Sequence, residues 1–345
     1  MTNISRRLFL QAVAAAASAP AFAQEPAARG NQAPRDTTPL VPPFESTGWK
    51  TVWLDHLNYQ CVDYKKAAAF YSTLMGWKVR SDDGKQAMLD IGENSGGILI
   101  RGGLAAPPPA AITDAGLGVN RPPVQAVFDG YAWGIDQWDT DHVTAALEKR
   151  GLHPIADHHG DYKAFRVKDP DGFDVIITNG TRANRRKTPA AGKLPAPAPF
   201  AATGWDTLYL DHISLEVPDF RRSAAFYQAL LGWDVRPGNG SQASAQIGTI
   251  GGAIIRGNAA ARAATRDKTA MPTSGGAAIG HISFGIENWN TERVREELKK
   301  RDVAYTNKEG QREPRPDMTG TLESFHVPDA MGWDLQIGNK IAPNR

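Results

Sequence analysis

The stretch Leu54-Asp55-His56 occurs a second time, 156 residues later, as Leu210-Asp211-His212. The residues around the two copies repeat with the same spacing, and the matching segments are Thr47-Gly48-Trp49 with Thr203-Gly204-Trp205, Phe70-Tyr71 with Phe226-Tyr227, and Gly76-Trp77 with Gly232-Trp233. A duplication that keeps its register from residue 47 to residue 77 indicates two copies of one folding unit. The function of the chain then depends on what the histidine of each copy does.

Length and composition indicate a globular protein of two domains. The chain has 345 residues, more than one compact core usually takes, and 41% of them are hydrophobic and 22% charged. The 39 Lys and Arg residues nearly balance the 37 Asp and Glu residues, so bulk charge favours neither nucleic acid nor a membrane surface as partner. Cys61 is the only cysteine, so no intrachain disulfide can form. A lone cysteine on a predicted strand is typically a small buried side chain.

The first 23 residues resemble a Tat-type (twin-arginine) signal peptide. Ser5-Arg6-Arg7-Leu8-Phe9-Leu10 carries the paired arginines, an apolar run follows over 11–21, and Ala21-Phe22-Ala23 is typical of a cleavage site. The apolar run is too short for a permanent membrane span, so we predict no integral membrane segment after signal removal. We expect a periplasmic or secreted bacterial protein in which residues 24–46, rich in Pro and Ala, form a disordered arm.

Hydrophobic periodicity predicts the same order of elements four times, namely a strand, a helix and three strands. In the first unit, residues 52–61 alternate as a strand, and Asp63 and Gly76 are typical caps of a helix over 65–75. Near the end of the second unit, Asp169-Pro170-Asp171-Gly172 predicts the turn of a closing hairpin.

The fold class that these units predict is α+β. We expect four βαβββ units paired into two domains, each a curved mixed β-sheet enclosing a cup with helices outside. The predicted N-terminal domain covers 47–180, a Pro- and Ala-rich linker covers 181–202, and the predicted C-terminal domain covers 203–340.

The repeated motifs resemble those of the vicinal oxygen chelate superfamily. The resemblance rests on the Leu-Asp-His openings, on the Phe-Tyr-x-x-Leu-x-Gly-Trp helix ends and on the Asp-Pro-Asp-Gly hairpin, and it covers residues 49–339. That superfamily includes glyoxalase I, extradiol dioxygenases, fosfomycin-resistance enzymes and bleomycin-binding proteins. Because its fold hosts isomerases, dioxygenases, epimerases and pure binding proteins, the resemblance implies a fold and a kind of site rather than one reaction.

The resemblance also implies metal ligands on the opening strands and on the closing strand of the later unit. In the C-terminal half these positions carry His212, His281 and Gln336. The implied cofactor is a divalent metal ion, of which Fe, Zn, Mn, Ni and Co suit imidazole and oxygen donors. Gln336 supplies a neutral oxygen where the superfamily usually has a glutamate.

The matching positions of the N-terminal half are poor in metal donors. They carry His56, Gly130 and Ile176, which leaves one donor where a divalent ion needs at least three. We therefore expect no metal in this half and a packing or substrate-contacting role for His56.

Two further side chains are candidates for moving a proton. Glu216 lies four residues after His212, so in a strand its side chain projects to the same face as that histidine. It is a general base, a further ligand or a solvated carboxylate. His326, on the strand before the closing turn, is an acid/base group, a hydrogen-bond donor to a bound oxyanion, or a strand-surface residue. Asp334, two residues before Gln336, either orients a ligand or is structural.

Two functions from different classes fit these residues. The first is an exported glyoxalase/extradiol-dioxygenase-like protein whose C-terminal metal chelates vicinal oxygens of a small organic substrate, for isomerase, lyase or ring-cleaving dioxygenase chemistry. A degenerate N-terminal domain supporting an active C-terminal domain is compatible with it. The second is a metal-free protein that binds and sequesters a small molecule, as in bleomycin-resistance relatives. No nucleic-acid-binding motif is present, and a homodimer stays an open alternative.

Overall fold

The computed structural model describes residues 38–105, 112–114, 119–238, 240–257 and 276–343. The export signal predicted over 1–23, and the part of the predicted arm before residue 38, lie outside the described residues. In those described ranges, no helix combines the length and apolar character needed to cross a bilayer.

The first helix begins and ends where its caps predict. The side chain of Asp63 accepts a hydrogen bond from the backbone N–H of Lys66 at 3.0 Å, and Gly76 follows the helix with a φ of 72°, which favours glycine. The elements of the N-terminal half are β1 Thr51–Cys61, α1 Tyr64–Met75, β2 Lys78–Asp82, β3 Gln86–Asp90, β4 Gly97–Arg101, β5 Ile112–Asp114, β6 Val119–Arg121, β7 Ala126–Ile135, α2 Thr140–Lys149, β8 Ile155–Ala156, β9 Ala164–Lys168, β10 Asp174–Thr178 and α3 Arg182–Arg185.

The C-terminal half repeats this order, with Asp219 and Gly232 as the matching caps. Its elements are β11 Thr207–Val217, α4 Phe220–Leu231, β12 Asp234–Pro237, β13 Gln242–Ile247, β14 Gly251–Gly257, β15 Ala278–Ile286, α5 Thr291–Lys300, β16 Tyr305–Asn307, β17 Arg312–Glu313, β18 Arg315–Thr319, β19 Leu322–Pro328 and β20 Asp334–Gly338. Strands β16, β17 and β18 were not predicted, because their short polar sequences lack the alternation that marks a half-buried strand.

Each half forms one eight-stranded mixed sheet, which confirms the predicted fold class. The strand orders are β2-β3-β4-β1-β7-β10-β9-β8 and β12-β13-β14-β11-β15-β20-β19-β18. The two units of each half meet where β1 pairs antiparallel with β7 and β11 with β15. The repeated histidines therefore lie on the central strands of their sheets.

A small third sheet, in the order β17-β16-β6-β5, joins strands of the two halves. In it Thr306 pairs with Asn120. Hydrophobic alternation within one segment carries no information about a partner so far away along the chain, so the sequence contained no signal for this sheet.

The two halves share one hydrophobic core. The indole Nε1 of Trp77 donates to the hydroxyl of Thr207 at 2.9 Å, and that of Trp233 donates to the hydroxyl of Thr51 at 3.2 Å. Both tryptophans are almost fully buried. The two contacts are reciprocal, since each half places its tryptophan against the opening strand of the other.

The closing turn of the C-terminal half is held by the N-terminal half. The buried carboxylate of Asp329 accepts hydrogen bonds from the hydroxyls of Tyr59 and Tyr71, the latter at 2.8 Å, and from two backbone N–H groups of its own turn. Asp169, at the matching turn, accepts from the hydroxyl of Tyr227 at 2.5 Å. Each turn is thus anchored by tyrosines of the opposite half.

The segment predicted as a linker packs against the N-terminal sheet at its beginning. It contains α3, and the guanidinium of Arg185 donates two hydrogen bonds to the carboxylate of Asp55 at 2.6 and 2.9 Å. Arg186 forms an ion pair with Asp90 at 3.0 Å. The Pro- and Ala-rich composition did not indicate these contacts, because two arginines in such a segment look like solvent-exposed charges.

Candidate metal centre

One row of paired residues crosses the C-terminal sheet. His212 on β11 pairs with Ser283 on β15, Ser283 with Gln336 on β20, and Gln336 with His326 on β19. Directly paired residues project to the same face of a sheet, and His281 shares that face because it precedes Ser283 by two residues. The structure therefore places the three predicted ligands and the predicted acid/base histidine on one face, while their roles stay predictions.

The side chains of His212 and His281 meet through their Nε2 atoms. These atoms lie 3.0 Å apart, and the two rings are nearly perpendicular at 81°. Imidazole nitrogens bind Zn-like ions at about 2.0–2.1 Å, so two ligands of one ion lie close to this separation. The pair of nitrogens is therefore suited to a shared cation.

A carboxylate fixes the tautomer of His212. Oδ2 of Asp211 lies 3.0 Å from Nδ1 of His212 and accepts from the hydroxyl of Ser283 at 3.1 Å, while Oδ1 pairs with Nζ of Lys340 at 2.8 Å. Burial would raise the pKa of Asp211, but the hydrogen bond from His212 and the nearby Lys340 bring that pKa well below its ordinary value. An ionised Asp211 holds the proton of His212 on Nδ1 and leaves the Nε2 lone pair directed at His281.

Replacing Asp211 with asparagine is expected to weaken metal binding by about 10–100-fold, because carboxylates behind histidine ligands raise their basicity. Equilibrium dialysis against Zn(II) or Mn(II) measures this change. Asp55→Asn removes the matching carboxylate of the other half and serves as the control. Equal metal affinity in the two variants would contradict this role for Asp211.

His281 is held in its neutral form. Burial, together with the neighbouring His212, His326 and Arg256, lowers the pKa of His281 well below its ordinary value. Metal binding requires a neutral imidazole, so His281 needs no deprotonation near neutral pH before it can donate its lone pair.

His326 packs against His281 and belongs to a hydrogen-bonded chain. The two ring centroids are 4.9 Å apart, Nδ1 of His326 lies 2.9 Å from Oδ2 of Asp334, and Tyr305 donates to Oδ1 of Asp334 at 2.8 Å. Potential ligand atoms of His281, His326 and Asp334 also lie within 4.8 Å of one another. The carboxylate of Asp334, engaged by His326 and Tyr305, orients the imidazole of His326, whose Nε2 lies 3.8 Å from Oδ2 of Asp317.

Glu216 is less close to this group. It lies four residues beyond His212 on β11, about 13 Å along the strand, and pairs in register with Arg256 on β14. Like His281 and His326, it is not among the described residues that line the cavity beside His212. Its carboxylate lies beside Gly280, the residue before His281, so Glu216 and His326 both stay candidates for moving a proton.

Gln336 presents an oxygen without a partner. Its Nε2 donates to the hydroxyl of Ser324 at 2.8 Å, whereas its buried Oε1 has no hydrogen-bond partner among the described residues. The hydroxyl of Ser214, paired with His281 across β11 and β15, is likewise buried and unpartnered. Buried polar atoms are normally satisfied, so the two imidazole nitrogens and this amide oxygen together fit a divalent cation.

A cavity of about 450 Å³ opens beside this group. His212, Gln336 and Lys340 line it, together with polar side chains of β13 and β19 that include Gln242, Ser244, Gln246 and Ser324. Sites for small organic molecules have volumes of roughly 300–1,000 Å³, so this cavity admits a ligand of that class.

The matching region of the N-terminal half is apolar. Ala132, Ala164 and Ile176 form a small buried cluster with Tyr162 packed against it. Ile176 pairs with Arg166 as Gln336 pairs with His326, so the structure assigns Ile176 the position that the repeat predicted. His56 pairs with Ala132 across β1 and β7, and its Nδ1 lies 2.8 Å from the carboxylate of Asp55.

The Asp55 carboxylate is expected to make stability depend on pH. Burial would raise its pKa, but His56 and Arg185 bring the pKa down to about 2. Because the pKa of Asp55 is lower in the folded protein than in the unfolded chain, its ionised carboxylate stabilises the fold. This stabilisation is complete at pH values above the unfolded-state pKa of 3.8 and is lost as the pH falls through about 2. The contribution is about 2 kcal/mol, at 1.36 kcal/mol per pKa unit.

Urea unfolding of the wild type and of Asp55→Asn between about pH 5 and pH 2 measures this linkage. The difference in unfolding free energy between the two proteins should shrink as the solution becomes more acidic. A difference that does not change over this range would contradict the assignment. Asp302→Asn, which removes an exposed carboxylate, is the control.

Sequence reasoning missed several residues of the site. Asp211 stands inside the repeated motif and could have been found there, because a carboxylate beside a histidine commonly fixes its tautomer. Tyr305 and Lys340 lie on segments without repeated or periodic residues, and only the folded sheet brings them to Asp334 and Asp211.

Comparisons with known proteins agree with the predicted resemblance. Residues 53–177 match the sequence model of the Glyoxalase/Bleomycin resistance protein/Dioxygenase superfamily. A search of curated proteins finds no match.

Solved structures share the fold at low sequence identity. The Mn(II)-bound glyoxalase from Novosphingobium aromaticivorans is 15% identical, with a TM-score of 0.55, over 84% of this chain and 82% of that one. Homoprotocatechuate 2,3-dioxygenase from Arthrobacter globiformis is 17% identical, with a TM-score of 0.55, over 87% and 83%. The same enzyme from Brevibacterium fuscum, in complex with 3,4-dihydroxyphenylacetate, is 16% identical, with a TM-score of 0.55, over 89% and 83%.

Proposed function

Since this chain carries a domain of the Glyoxalase/Bleomycin resistance protein/Dioxygenase superfamily, we propose that it is a metal-dependent enzyme whose C-terminal half acts on a small organic substrate through two neighbouring oxygen atoms. The observation that carries the proposal is the 3.0 Å approach of the Nε2 atoms of His212 and His281. The unpartnered Oε1 of Gln336, on the same face of the sheet, supports it.

His212, His281 and Gln336 would hold the metal. When bound, a divalent ion supplies Lewis-acid stabilisation of negative charge on the two substrate oxygens. All three protein donors are neutral, and imidazole with an amide oxygen suits Mn, Fe, Co, Ni or Zn. The Mn(II)-bound glyoxalase shares the fold, and the three donors are compatible with that ion.

His326 would move the proton. The hydrogen bond between its Nδ1 and Asp334 leaves Nε2 able to take a proton from a substrate hydroxyl or from a carbon beside a carbonyl. The carboxylate of Asp334 then stabilises the resulting imidazolium, and the hydroxyl of Tyr305 holds that carboxylate in place. This group supports proton transfer in an isomerase, a lyase or a ring-cleaving reaction alike.

The cavity would orient the substrate. Its polar side chains on β13 and β19 face His212 and Gln336 across a space that admits one small molecule. A substrate with two neighbouring oxygens at the histidine end would place its remaining atoms against these side chains.

The test is metal analysis of the purified protein, followed by titration with 4-nitrocatechol, whose visible spectrum reports ionisation of its two neighbouring hydroxyls. We expect one metal ion per chain and a spectral shift in the metal-loaded protein that disappears after chelation. A protein that takes up no metal, yet binds the probe equally before and after chelator treatment, would refute the enzyme and favour a metal-free binding protein of the bleomycin-resistance type.

A further inference from the structure

Strand β13 presents a row of polar side chains to the cavity beside the candidate metal centre. Gln242, Ser244 and Gln246 alternate with buried apolar residues of the same strand, and all three line the cavity. Residues at this period project to one face of a sheet, with roughly 7 Å between successive members. These three side chains are called the β13 row below.

Most hydrogen-bonding groups of the β13 row are not used within the fold. The amide of Gln242 and the hydroxyl of Ser244 make no hydrogen bond to another described residue. Gln246 is anchored, because its Nε2 donates to the carbonyl oxygens of Gly248 and Gly251 at 2.8 Å each, and its Oε1 accepts from no described residue. The row therefore offers an acceptor at one end, a hydroxyl in the middle and a complete amide at the other end.

The rest of the cavity wall is not suited to a flat apolar ring. Among the described residues that line it there is no phenylalanine, tyrosine or tryptophan, and Ile254 and Leu322 are its two large apolar side chains. Thr319 and Ser324 add hydroxyls from β18 and β19. Sites for apolar ligands are lined mostly by hydrophobic and aromatic side chains, so this wall favours a ligand with many hydroxyl groups.

Gly252 connects the β13 row to the metal centre. It pairs in register with Gln246, and a Cβ added to it would lie 3.8 Å from the Cβ of His212. Two strand spacings, roughly 10 Å, separate Gln246 from His212. Because Gly252 has no side chain, the floor between them stays open, and a short hydroxylated chain or one sugar ring can reach both ends.

The matching row of the N-terminal half lacks this character. The offset of 156 residues places Gln86, Met88 and Asp90 at its three positions, and only the first is unchanged. Met88 is apolar, and the carboxylate of Asp90 is paired with Arg80 at 2.8 Å and with Arg186 at 3.0 Å. The half that is poor in metal donors therefore also lacks the row, which associates the β13 row with the candidate site rather than with the sheet in general.

Resting on the proposed function, we infer that the substrate is a polyhydroxylated, sugar-like molecule. It binds the metal through two neighbouring oxygens and the β13 row through its other hydroxyls. An α-hydroxy ketone with a hydroxylated chain has both parts. Its hydroxyls both donate and accept, so they match the amide of Gln242 and the hydroxyl of Ser244, which are the specificity-determining groups.

The test compares two five-carbon hydroxy ketones that bring the same pair of oxygens to the metal. D-xylulose carries three further hydroxyls, and 1-hydroxy-2-pentanone carries none. Relaxation of the ligand protons by the Mn(II)-loaded protein, followed by NMR, measures both affinities without relying on turnover. Wild-type protein should bind D-xylulose about tenfold or more tightly, as expected for one or two additional neutral hydrogen bonds.

Three variants complete the design. Gln242→Met combined with Ser244→Ala removes the hydrogen-bonding groups of two side chains outside the core, and this protein should lose the preference for D-xylulose while its affinity for Mn(II) stays unchanged. Ser244→Thr keeps the hydroxyl and should keep the preference. Gln86→Met changes the matching glutamine of the other half and should also keep it.

The possible failures differ from one another. Equal affinities of wild-type protein for the two ketones, or a preference that the combined variant keeps, would overturn the inference alone. The same holds if bound Mn(II) relaxes neither ketone although the protein still shifts the spectrum of 4-nitrocatechol. Protein that takes up no Mn(II) or other divalent metal would refute the proposed function and the inference together.

Discussion

Replacing His281 with alanine is expected to weaken metal binding by about a hundredfold or more, beyond the 10–100-fold typical of losing an outer hydrogen-bond partner. The reason is geometric, because His281 supplies one of the two Nε2 atoms that meet at 3.0 Å and is kept neutral by its surroundings. The loss should appear in equilibrium dialysis against Zn(II) or Mn(II), and as the disappearance of the metal-dependent spectrum of 4-nitrocatechol.

The repeated sequence offers a matched control for this variant. His56→Ala removes the counterpart of His212 from the other half, where Ala132 and Ile176 occupy the positions that face it. It should leave metal content unchanged. If His56→Ala lost the metal as completely as His281→Ala, the assignment of the centre to the C-terminal half would be wrong.

Replacing Asp329 with alanine is expected to lower the free energy of unfolding by about 4 kcal/mol, because each buried hydrogen-bonding group left unpaired costs about 1–3 kcal/mol. The variant leaves four donors without an acceptor, namely the hydroxyls of Tyr59 and Tyr71 and two backbone N–H groups. Part of this cost is offset, since burial raises the pKa of Asp329 and its ionised form is itself expensive to bury.

Urea unfolding followed by tryptophan fluorescence measures this change, since several tryptophans lie in the shared core. Asp302→Asn is the control, because it removes an exposed ion pair with Arg312 and should cost less than about 1 kcal/mol. If Asp329→Ala lowered the free energy of unfolding by no more than the control does, the contact between the two halves would not depend on this turn.

The fold was predictable because its signals repeat. The offset of 156 residues marked the units, alternation marked β1 and β11, and the caps at Asp63 and Asp219 marked the helices after them. Comparing the two copies also located the positions that differ, Gly130 against His281 and Ile176 against Gln336. Local periodicity and comparison of copies are both properties of the linear sequence.

The remainder of the site depends on partners that are distant along the chain. Tyr305 reaches Asp334 and Lys340 reaches Asp211 only because the folded sheet brings them together. Neither residue has a counterpart in the repeat that would have drawn attention to it. Arg185 likewise looked like a solvated charge, although it holds a buried carboxylate.

The reciprocal tryptophan contacts bear on how such a chain can diverge. Trp77 reaches Thr207 and Trp233 reaches Thr51, so a single half could satisfy these contacts only by pairing with a second copy of itself. In a self-pairing ancestor, every substitution would have altered both sites at once. Fusion of the copies into one chain frees them to change separately, so that one can lose its metal donors and remain as the permanent partner of the other.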